Sequence, residues 1–313
     1  MKILKPKFWD KNNIGIFAII LLPITIIYQA ILGLKKVISK EKKFSIPVVC
    51  IGNIYIGGTG KTPLSVKIYE ILKELKMNPV IVKKEYKSQK DEVLLIKKYC
   101  SLIESDRRDL GILKAVNDKY DVVILDDGFQ DYSIKKNINI ICFNQKQKVG
   151  NGLTIPSGPL RENLKSLENC DLVICNGEKD LNFETKLKKY KSNLKFFYYK
   201  FISKNLSQYK NKKLIAFSGI GNPNNFFDFL KENRLNLVKE ISYPDHYDYS
   251  KKDLEYLIEL KRRFAAKLIT TEKDYMRINS DYQQNFDFIP IQIDFESSEY
   301  LINTLRKKIY ENN

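Results

Sequence analysis

The chain has 313 residues, of which 43% are hydrophobic, and it carries a formal net charge of +17. This length suggests two domains, and the hydrophobic fraction allows a substantial core. With five cysteines, no Cys-x-x-Cys pair and one histidine, the composition excludes an ordinary zinc site and indicates reduced core cysteines of a cytosolic protein. The positive charge favours anionic partners, although a Lys- and Asn-rich compositional bias explains it equally well.

The N-terminal part of the chain contains an apolar segment, Ile14–Leu34, which Pro23, Thr25 and Gln29 interrupt. As one helix it would be about 30 Å long, enough to span a bilayer or to lie deep in its surface. Lysines flank both ends, so the sequence does not distinguish these two arrangements. A cleaved signal peptide and a buried core helix are the alternatives, but no small-x-small cleavage site follows the segment. We therefore predict a membrane-anchoring helix within residues 1–40.

After this segment, short β-branched runs alternate with helical patterns, which predicts a parallel, doubly wound α/β sheet. The predicted strands of this part are 46–51, 79–82, 121–125, 139–143 and 171–175, and the predicted helices are 62–75 and 107–117. Residues 180–212 are rich in Lys and Asn, and we interpret them as a linker that contains one strand. A second α/β unit follows, with predicted strands 213–217, 266–270 and 288–293 and predicted helices 225–232, 251–264 and 298–310.

The strongest motif is Gly57-Gly58-Thr59-Gly60-Lys61-Thr62, which follows a predicted strand and begins a predicted helix. Its glycines allow backbone N–H groups to converge on one anion, Lys61 would reach the β- and γ-phosphates, and Thr62 would bind Mg²⁺ through its hydroxyl. The strict pattern requires glycine where Tyr55 stands, but the strand–loop–helix context favours phosphate binding over a chance glycine-rich turn. The sequence therefore predicts a P-loop NTPase-type domain over 41–205, with bound ATP, and a smaller α/β domain over 206–313.

Three further groups of residues suggest chemistry. Asp126 and Asp127 end an apolar strand, where a P-loop protein holds Mg²⁺, although an Asp-Asp-Gly turn is the alternative. His246 is the single histidine and could act as, or adjust, a general base, although an ordinary packing histidine is also possible. Arg161 ends a Pro- and Gly-rich stretch and could bind an anionic group, while 270–274 follow a strand where α/β folds place ligand-facing loops.

Together these residues resemble the tetraacyldisaccharide 4′-kinase family, also called the lipid A 4′-kinases. The matching blocks run in the family's order over nearly the whole chain. After the apolar segment they are Gly52-Asn53, Gly57–Thr62 with Pro63, Asp126-Asp127-Gly128-Phe129-Gln130, Ile155-Pro156-Ser157-Gly158-Pro159-Leu160-Arg161-Glu162, Ser218-Gly219-Ile220-Gly221-Asn222-Pro223, Pro244-Asp245-His246 and Thr270-Thr271-Glu272-Lys273-Asp274.

The resemblance implies transfer of the ATP γ-phosphate to the 4′-hydroxyl of a tetraacylated glucosamine disaccharide 1-phosphate, giving the lipid IVA precursor of lipopolysaccharide. It implies attachment to the cytoplasmic face of the inner membrane, with the active site between the two domains. We further expect a monomer and no nucleic acid partner. It also implies a catalytic Asp–His pair, in which the aspartate that accepts the sugar proton falls on Asp91 and the orienting histidine on His246. Lys61 and Mg²⁺ would neutralise phosphate charge, and Arg161 would bind a phosphate of ATP or of the lipid.

The Asp91 region departs from the family pattern. The family's Gly-Asp-Glu-Pro block is Lys90-Asp91-Glu92-Val93 here, without its glycine and proline. Its Ser-Arg-Gly-Tyr-Gly stretch corresponds to 83–87, and the histidine that is common after Asp-Asp-Gly-Phe-Gln is Asp131. The shortened loop between these stretches could change how the lipid is held.

Three rival functions are weighed against the kinase. A partitioning- or metallochaperone-type ATPase carries a lysine immediately before the two glycines, whereas this chain has Ile56 there. A nucleotide-gated membrane adaptor would not explain the block containing Arg161 or the Asp245-His246 pair. A nucleic-acid-dependent ATPase is suggested by charge alone, because the sequence shows no basic platform studded with aromatic residues.

Overall fold

The computed structural model describes residues 6–11, 13–86 and 89–311. The chain divides into two compact units: the first comprises the described residues of 1–85, 100–200 and 294–313, and the second those of 86–99 and 201–293. The predicted division after residue 205 differs from these units, because 86–99 pack with the second unit and the C-terminal residues return to the first. The predicted anchor segment 1–40 includes residues 1–5 and 12, which lie outside the described residues; its described part belongs to the first unit.

The secondary structure alternates strands and helices along the chain, with short 3₁₀ helices at Lys7–Asp10, Leu164–Asn169 and Leu206–Tyr209. The strands are β1 Val48–Gly52, β2 Pro79–Lys84, β3 Leu102–Ser105, β4 Val122–Asp126, β5 Ile138–Asn144, β6 Leu172–Asn176, β7 Lys195–Ile202, β8 Lys213–Ser218, β9 Asn236–Ser242, β10 Lys267–Thr271, β11 Phe286–Ile289 and β12 Gln292–Phe295. The helices are α1 Ile16–Ile20, α2 Leu22–Ile38, α3 Lys61–Glu74, α4 Lys90–Tyr99, α5 Arg108–Asn117, α6 Leu181–Lys188, α7 Pro223–Glu232, α8 Lys251–Phe264, α9 Glu272–Tyr275, α10 Ser280–Gln283 and α11 Ser298–Glu311.

The first unit is built on a sheet that, within the described residues, has eight strands in the order β12-β7-β6-β5-β1-β4-β2-β3. From β3 to β7 the neighbouring strands pair in parallel. Every residue of β1 and of β4 is buried, as expected for apolar, β-branched strands covered on both faces. Helix α3 begins directly after the loop that follows β1, so the carboxyl end of the central strand meets the amino end of a helix.

The second unit has a sheet that, in the part of the chain described, contains four strands in the order β11-β10-β8-β9, all paired in parallel. Apolar side chains of α8, including Leu254 and Leu257, pack with Phe217, Leu268 and Phe286 in its core. Helix α4, from residues far earlier in the chain, packs against α9 in this unit. Both sheets agree with the predicted parallel α/β class.

The apolar N-terminal segment forms two helices, α1 and α2, instead of the single helix predicted from Ile14 to Leu34. The break falls at Leu21, because Pro23 lies in the first turn of α2 and has no backbone N–H with which to continue the preceding helix. Among the described residues, no helix is both long and apolar enough to cross a membrane.

The interpretation of 180–212 as a linker was wrong, because most of this stretch belongs to the first unit's fold. Asp180 caps α6 by accepting a hydrogen bond from the N–H of Phe183, and Phe183 and Leu187 enter the hydrophobic core. The following strand β7 pairs with β6 through residues 195–199. The lysines and asparagines that suggested a linker are mostly exposed residues of these elements and of the turns between them.

Candidate active site

The predicted phosphate-binding loop lies between β1 and α3, as its sequence indicates. Gly57 has φ +109° and Gly60, at the amino cap of α3, has φ +83°. Both angles lie in a region that residues with a Cβ rarely adopt, which explains glycine at these two positions. The loop therefore leads directly to a helix amino end, whose free N–H groups favour an anion.

The buried side chain of Asn53 holds this loop through hydrogen bonds, although sequence reasoning had not assigned it a role. Its side chain is fully buried and donates hydrogen bonds to the backbone oxygen of Tyr55 and, at 2.9 Å, to Thr59 Oγ1. Its Oδ1 accepts from Lys61 Nζ at 3.2 Å, and its backbone oxygen accepts from Gln130 Nε2 at 2.9 Å. The signal in the sequence was a polar amide that directly follows an apolar strand.

The two adjacent aspartates have different surroundings. Asp126 is buried, with one carboxylate oxygen 2.6 Å from Lys83 Nζ and the other accepting a hydrogen bond from Ser65 Oγ at 3.1 Å. Both of its oxygens therefore have protein partners, and a buried pair of this kind depends on both charges being present. Lys83 was noted only as the start of the divergent 83–87 stretch, whose last residue, Lys87, lies outside the described residues.

Asp127 joins the predicted phosphate-binding cations, and it adopts a left-handed backbone with φ +56°. Arg161 Nη1 lies 3.0 Å from each Asp127 oxygen, and Lys61 Nζ lies 3.7 Å from Oδ1. Burial raises the pKa of Asp127, but the charges of Lys61 and Arg161 outweigh burial and leave the pKa below its ordinary value. The structure therefore brings Lys61, Asp127 and Arg161 into one charged cluster beside the phosphate-binding loop.

The stretch that carries Arg161 is joined to helix α2 by hydrogen bonds. Thr25 Oγ1 donates to Ser157 Oγ at 2.8 Å, Gln29 Nε2 donates to Thr154 Oγ1 at 2.7 Å, and the Tyr28 hydroxyl donates to the backbone oxygen of Arg161 at 2.8 Å. The polar residues that interrupt the apolar segment therefore face the protein. Helix α2 accordingly leaves most of its apolar side chains exposed.

In the second unit, Asp91 and His246 form a direct pair. Asp91 lies in the first turn of α4, and His246 Nδ1 is 3.0 Å from each of its carboxylate oxygens. The His246 backbone has φ +54°, and its N–H donates to the Gly219 oxygen at 3.0 Å. The Asp91 side chain is 1% exposed and the imidazole 20% exposed, so the imidazole is the member of the pair that reaches the surface.

Two cations surround the pair. Lys273 Nζ lies 3.6 Å from Asp91 Oδ2, 3.4 Å from His246 Nε2 and 3.0 Å from Glu92 Oε1. Arg277, which sequence reasoning missed, brings its Nε to 3.5 Å from Asp91. Burial raises the pKa of Asp91, but the hydrogen bond to His246 and the neighbouring positive charges lower it by more than burial raises it. The pKa of Asp91 therefore lies below its ordinary value of 3.8. The carboxylate is therefore held in its charged form.

Asp274 holds the loops on which this pair depends. It is fully buried and accepts hydrogen bonds or an ion pair from Ser218 Oγ, the Gly219 N–H, the Tyr249 hydroxyl, Thr271 Oγ1 and Arg277 Nη2. Sequence reasoning had placed it in a possible ligand-facing loop, whereas its contacts are structural. Through Gly219, whose oxygen also binds the His246 N–H, the network fixes the turn that carries the histidine.

We expect Asp274→Asn to lower the free energy of unfolding of the second unit by about 3 kcal/mol, because it removes the buried negative charge that pairs with Arg277 Nη2 and leaves Asp91 as the remaining carboxylate beside this arginine. Urea unfolding combined with hydrogen exchange in β8 and α9 measures this loss. Asp287→Asn, in a surface ion pair with Lys267, is the matched control and should change stability by less than about 1 kcal/mol. Equal effects of the two substitutions would contradict a structural role for Asp274.

The parallel sheet, the glycine loop at a helix amino end and the Lys61–Asp127–Arg161 cluster define a P-loop kinase-type α/β protein. A family model described as tetraacyldisaccharide-1-P 4′-kinase matches residues 17–310. The tetraacyldisaccharide 4′-kinase of Pelagibacter ubique is 40% identical over 313 residues, covering 98% of each chain, and that of Rickettsia bellii is 35% identical over 99% of each. The chain therefore belongs to the tetraacyldisaccharide 4′-kinase family.

A solved structure supports the fold. The LpxK protein of Aquifex aeolicus, in complex with ATP, superimposes with a TM-score of 0.74 at 24% sequence identity, covering 94% of this chain and all of that one. Family membership confirms the prediction of a kinase of lipid A biosynthesis. It does not favour the alternative of a partitioning- or metallochaperone-type ATPase.

Proposed function

We propose that this chain transfers the γ-phosphate of ATP to the 4′-hydroxyl of tetraacyldisaccharide 1-phosphate, giving lipid IVA. The observation that carries the proposal is the Lys61–Asp127–Arg161 cluster beside the glycine loop, in a chain related to 4′-kinases over nearly its whole length. Phosphoryl transfer depends mainly on alignment and charge neutralisation, and these residues supply the necessary charges.

Lys61 and Arg161 bind the transferring phosphate in this mechanism. The Asp127 carboxylate lies within ion-pair distance of both cations, and the nucleotide's phosphates would compete with it for Lys61 and Arg161. The N–H groups of 57–60 and of the α3 amino end complete the phosphate cradle. Backbone groups and cations that are already in place cost little reorganisation during the reaction, which makes their electrostatic stabilisation effective.

The oxygen donors of the first unit fit Mg²⁺. Magnesium prefers oxygen ligands and keeps several waters, so it requires only one or two carboxylates beside the substrate's phosphates. No group of three or more His, Cys, Asp or Glu side chains suited to a metal occurs in the described residues, which agrees with a metal held largely by nucleotide and water. Thr62 and Asp127 would hold the ion. Asp126, whose oxygens pair with Lys83 and Ser65, would act on the ion only indirectly. The ion would neutralise charge on the phosphates.

The Asp91–His246 pair accepts the proton of the attacking hydroxyl. The sequence-based prediction has Asp91 taking the proton and His246 orienting it. The exposed fractions of the two side chains favour the opposite roles, with His246 as the proton acceptor and Asp91 as the residue that orients it. The carboxylate is enclosed by His246, Lys273 and Arg277, whereas the imidazole reaches the surface. With Nδ1–H donated to Asp91, Nε2 is the imidazole atom that accepts the proton, beside Lys273 Nζ at 3.4 Å.

The N-terminal helices attach the enzyme to the cytoplasmic face of the inner membrane, where the acyl chains of the substrate reside. Ile24, Ile27, Ile31, Leu34 and Ile38 follow one stripe of α2 at helical spacing, and each is more than half exposed. Exposure of an apolar stripe of this length to water is unfavourable, and such a stripe suits the boundary between lipid headgroups and acyl chains. We further propose that the enzyme is a monomer with no nucleic acid partner.

The double substitution Ile27→Asp/Ile31→Asp is expected to lower affinity for lipid vesicles at least about tenfold, because each buried isoleucine contributes about 1.5–3 kcal/mol. Vesicle flotation measures the bound fraction, with circular dichroism as the check on folding. Leu181→Asp, at an equally exposed leucine on α6, is the control and should leave binding unchanged. Unaltered flotation of the double variant would contradict attachment through α2.

The proposed reaction is tested by incubating the enzyme with γ-labelled ATP, Mg²⁺ and tetraacyldisaccharide 1-phosphate in detergent micelles. The expected result is label in the lipid, dependent on the acceptor and abolished by chelation of Mg²⁺. Release of labelled inorganic phosphate, with no labelled lipid, would instead favour an ATPase.

A further inference from the structure

The first unit contains a cavity of about 690 Å³ that is not part of the phosphate-binding loop. Five lysines from four segments of the chain line it: Lys36, Lys43, Lys135, Lys136 and Lys308. Its wall includes residues at the amino ends of β5 and β6, whereas the phosphate-binding loop follows the carboxyl end of β1. Because these neighbouring strands are parallel, this part of the cavity wall lies at the opposite end of the strands from the loop.

The charges around this lysine cavity are not balanced. Two carboxylates, Glu41 and Asp171, line the cavity with the five lysines, pairing with Lys135 at 3.7 Å and with Lys308 at 2.9 Å. Two more interact with its lysines: Glu162 with Lys36 and Lys136, and Asp131 with Lys136, which still leaves five lysines against four carboxylates. Lys136 Nζ donates to the backbone oxygens of Phe129 and Asp131, which are neutral. The excess positive charge within one concave surface raises the local potential and favours an anion.

Polar atoms in the wall also suit a ligand with several oxygens. The buried side-chain oxygen of Asn139 has no hydrogen-bond partner among the described residues, and this amide lines the cavity. Because either end of an amide can be turned toward a ligand, Asn139 can donate to or accept from a bound group. Ser39 contributes a hydroxyl from the end of α2. Lysines with neutral donors are a common environment for phosphate.

The cavity is continuous with the membrane-facing stripe. Lys36 lies in the last turn of α2, beside the exposed residues Leu34, Val37 and Ile38. A helix lying in the membrane surface would therefore bring the cavity to the level of the headgroups. We propose that the lysine cavity binds the phosphate of an anionic phospholipid, an inference that rests on the proposed membrane attachment of α2.

The test compares flotation with vesicles of phosphatidylcholine alone and with vesicles that also contain phosphatidylglycerol. Lys36→Gln/Lys43→Gln removes two exposed lysines of the cavity, and Lys165→Gln/Lys186→Gln removes two exposed lysines elsewhere in the same unit. We expect the cavity variant to lose about tenfold in its preference for anionic vesicles and to keep its binding to neutral vesicles. The control variant should retain the preference.

Each other outcome overturns the proposal in a distinguishable way. Equal losses in the two variants would indicate only general attraction between the basic chain and the vesicle. Loss of the preference in millimolar inorganic phosphate would indicate a free-phosphate site. A raised KM for the disaccharide 1-phosphate in micelles, with the vesicle preference intact, would assign the cavity to the substrate. Absence of wild-type binding to any vesicle would overturn membrane attachment as well, whereas the micellar kinase assay would still report on catalysis.

Discussion

Replacing Lys61 by methionine is expected to lower kcat for phosphoryl transfer by at least about 10³-fold, because it removes a fixed positive charge from the developing charge on the phosphate. Methionine keeps most of the apolar stem, so the loop should fold as before. The Asp127 carboxylate would lose its contact with Lys61 and keep its contact with Arg161. Initial rates of lipid phosphorylation at saturating ATP measure the effect.

The matched control is Lys67→Met, on the same helix. Lys67 makes a partly exposed ion pair with Glu70 at 3.3 Å, and such pairs contribute little to stability. The kcat of the Lys67→Met enzyme should stay within about twofold of the wild-type value. A Lys61→Met enzyme that kept a tenth or more of wild-type kcat would contradict the role given to this lysine.

Asp91→Asn and His246→Asn are each expected to lower kcat by about 10²–10⁴-fold, the usual contribution of a positioned acid or base. The double variant should be scarcely slower than either single one, because the two residues act as one unit. Asp281→Asn, at an exposed carboxylate of the same unit, is the control for rate. Purely additive losses in the double variant would contradict a functional pair.

The same pair makes a prediction about pH and stability. The folded protein lowers the pKa of Asp91 below its ordinary value of 3.8. The interactions of the ionised carboxylate therefore stabilise the second unit fully at pH values above 3.8, and this stabilisation is lost as the pH falls through the folded-state pKa. The stability difference between wild type and Asp91→Asn should therefore be larger at pH 7 than at pH 3. Urea unfolding at the two pH values measures it, and a constant difference would exclude the ionised carboxylate as its source.

The phosphate-binding loop could be predicted from sequence because its chemistry is local. A buried strand, glycines at two positions with positive φ, a lysine and a helix start are consecutive in the chain. The family resemblance also indicated the pairing of Asp91 with His246, and the structure brings these two residues together. Their roles in the reaction remain predictions.

The supporting residues could not be predicted, because they act across long separations in sequence. Lys83 meets Asp126 from a neighbouring strand, and Arg277 reaches Asp91 from a part of the chain nearly two hundred residues later. Neither belongs to a recognisable motif. Helix α4 was missed for a related reason, since its few buried side chains give a weak apolar pattern while tertiary contacts with α9 stabilise it.

The apolar N-terminal segment shows how polarity can be misread. Thr25 and Gln29 first counted as interruptions of an anchor, yet they are the residues that attach α2 to the stretch carrying Arg161. Most hydrophobic residues of this helix are exposed, whereas Thr25, Tyr28 and Gln29 face the protein, which is the reverse of a helix that packs on a soluble core. A pattern of this kind is informative only when the surface that the helix contacts is known.

The most direct test of the central claim is to determine where the phosphate goes. Phosphorus NMR of the lipid product, with Mg·ATP and the tetraacyldisaccharide 1-phosphate, should show one new phosphate monoester, and proton–phosphorus correlation should place it on the 4′-oxygen. The Lys61→Met and His246→Asn enzymes should yield little of this product in the same time. A wild-type product phosphorylated at the existing 1-phosphate, or no lipid product with ATP consumed, would contradict the account.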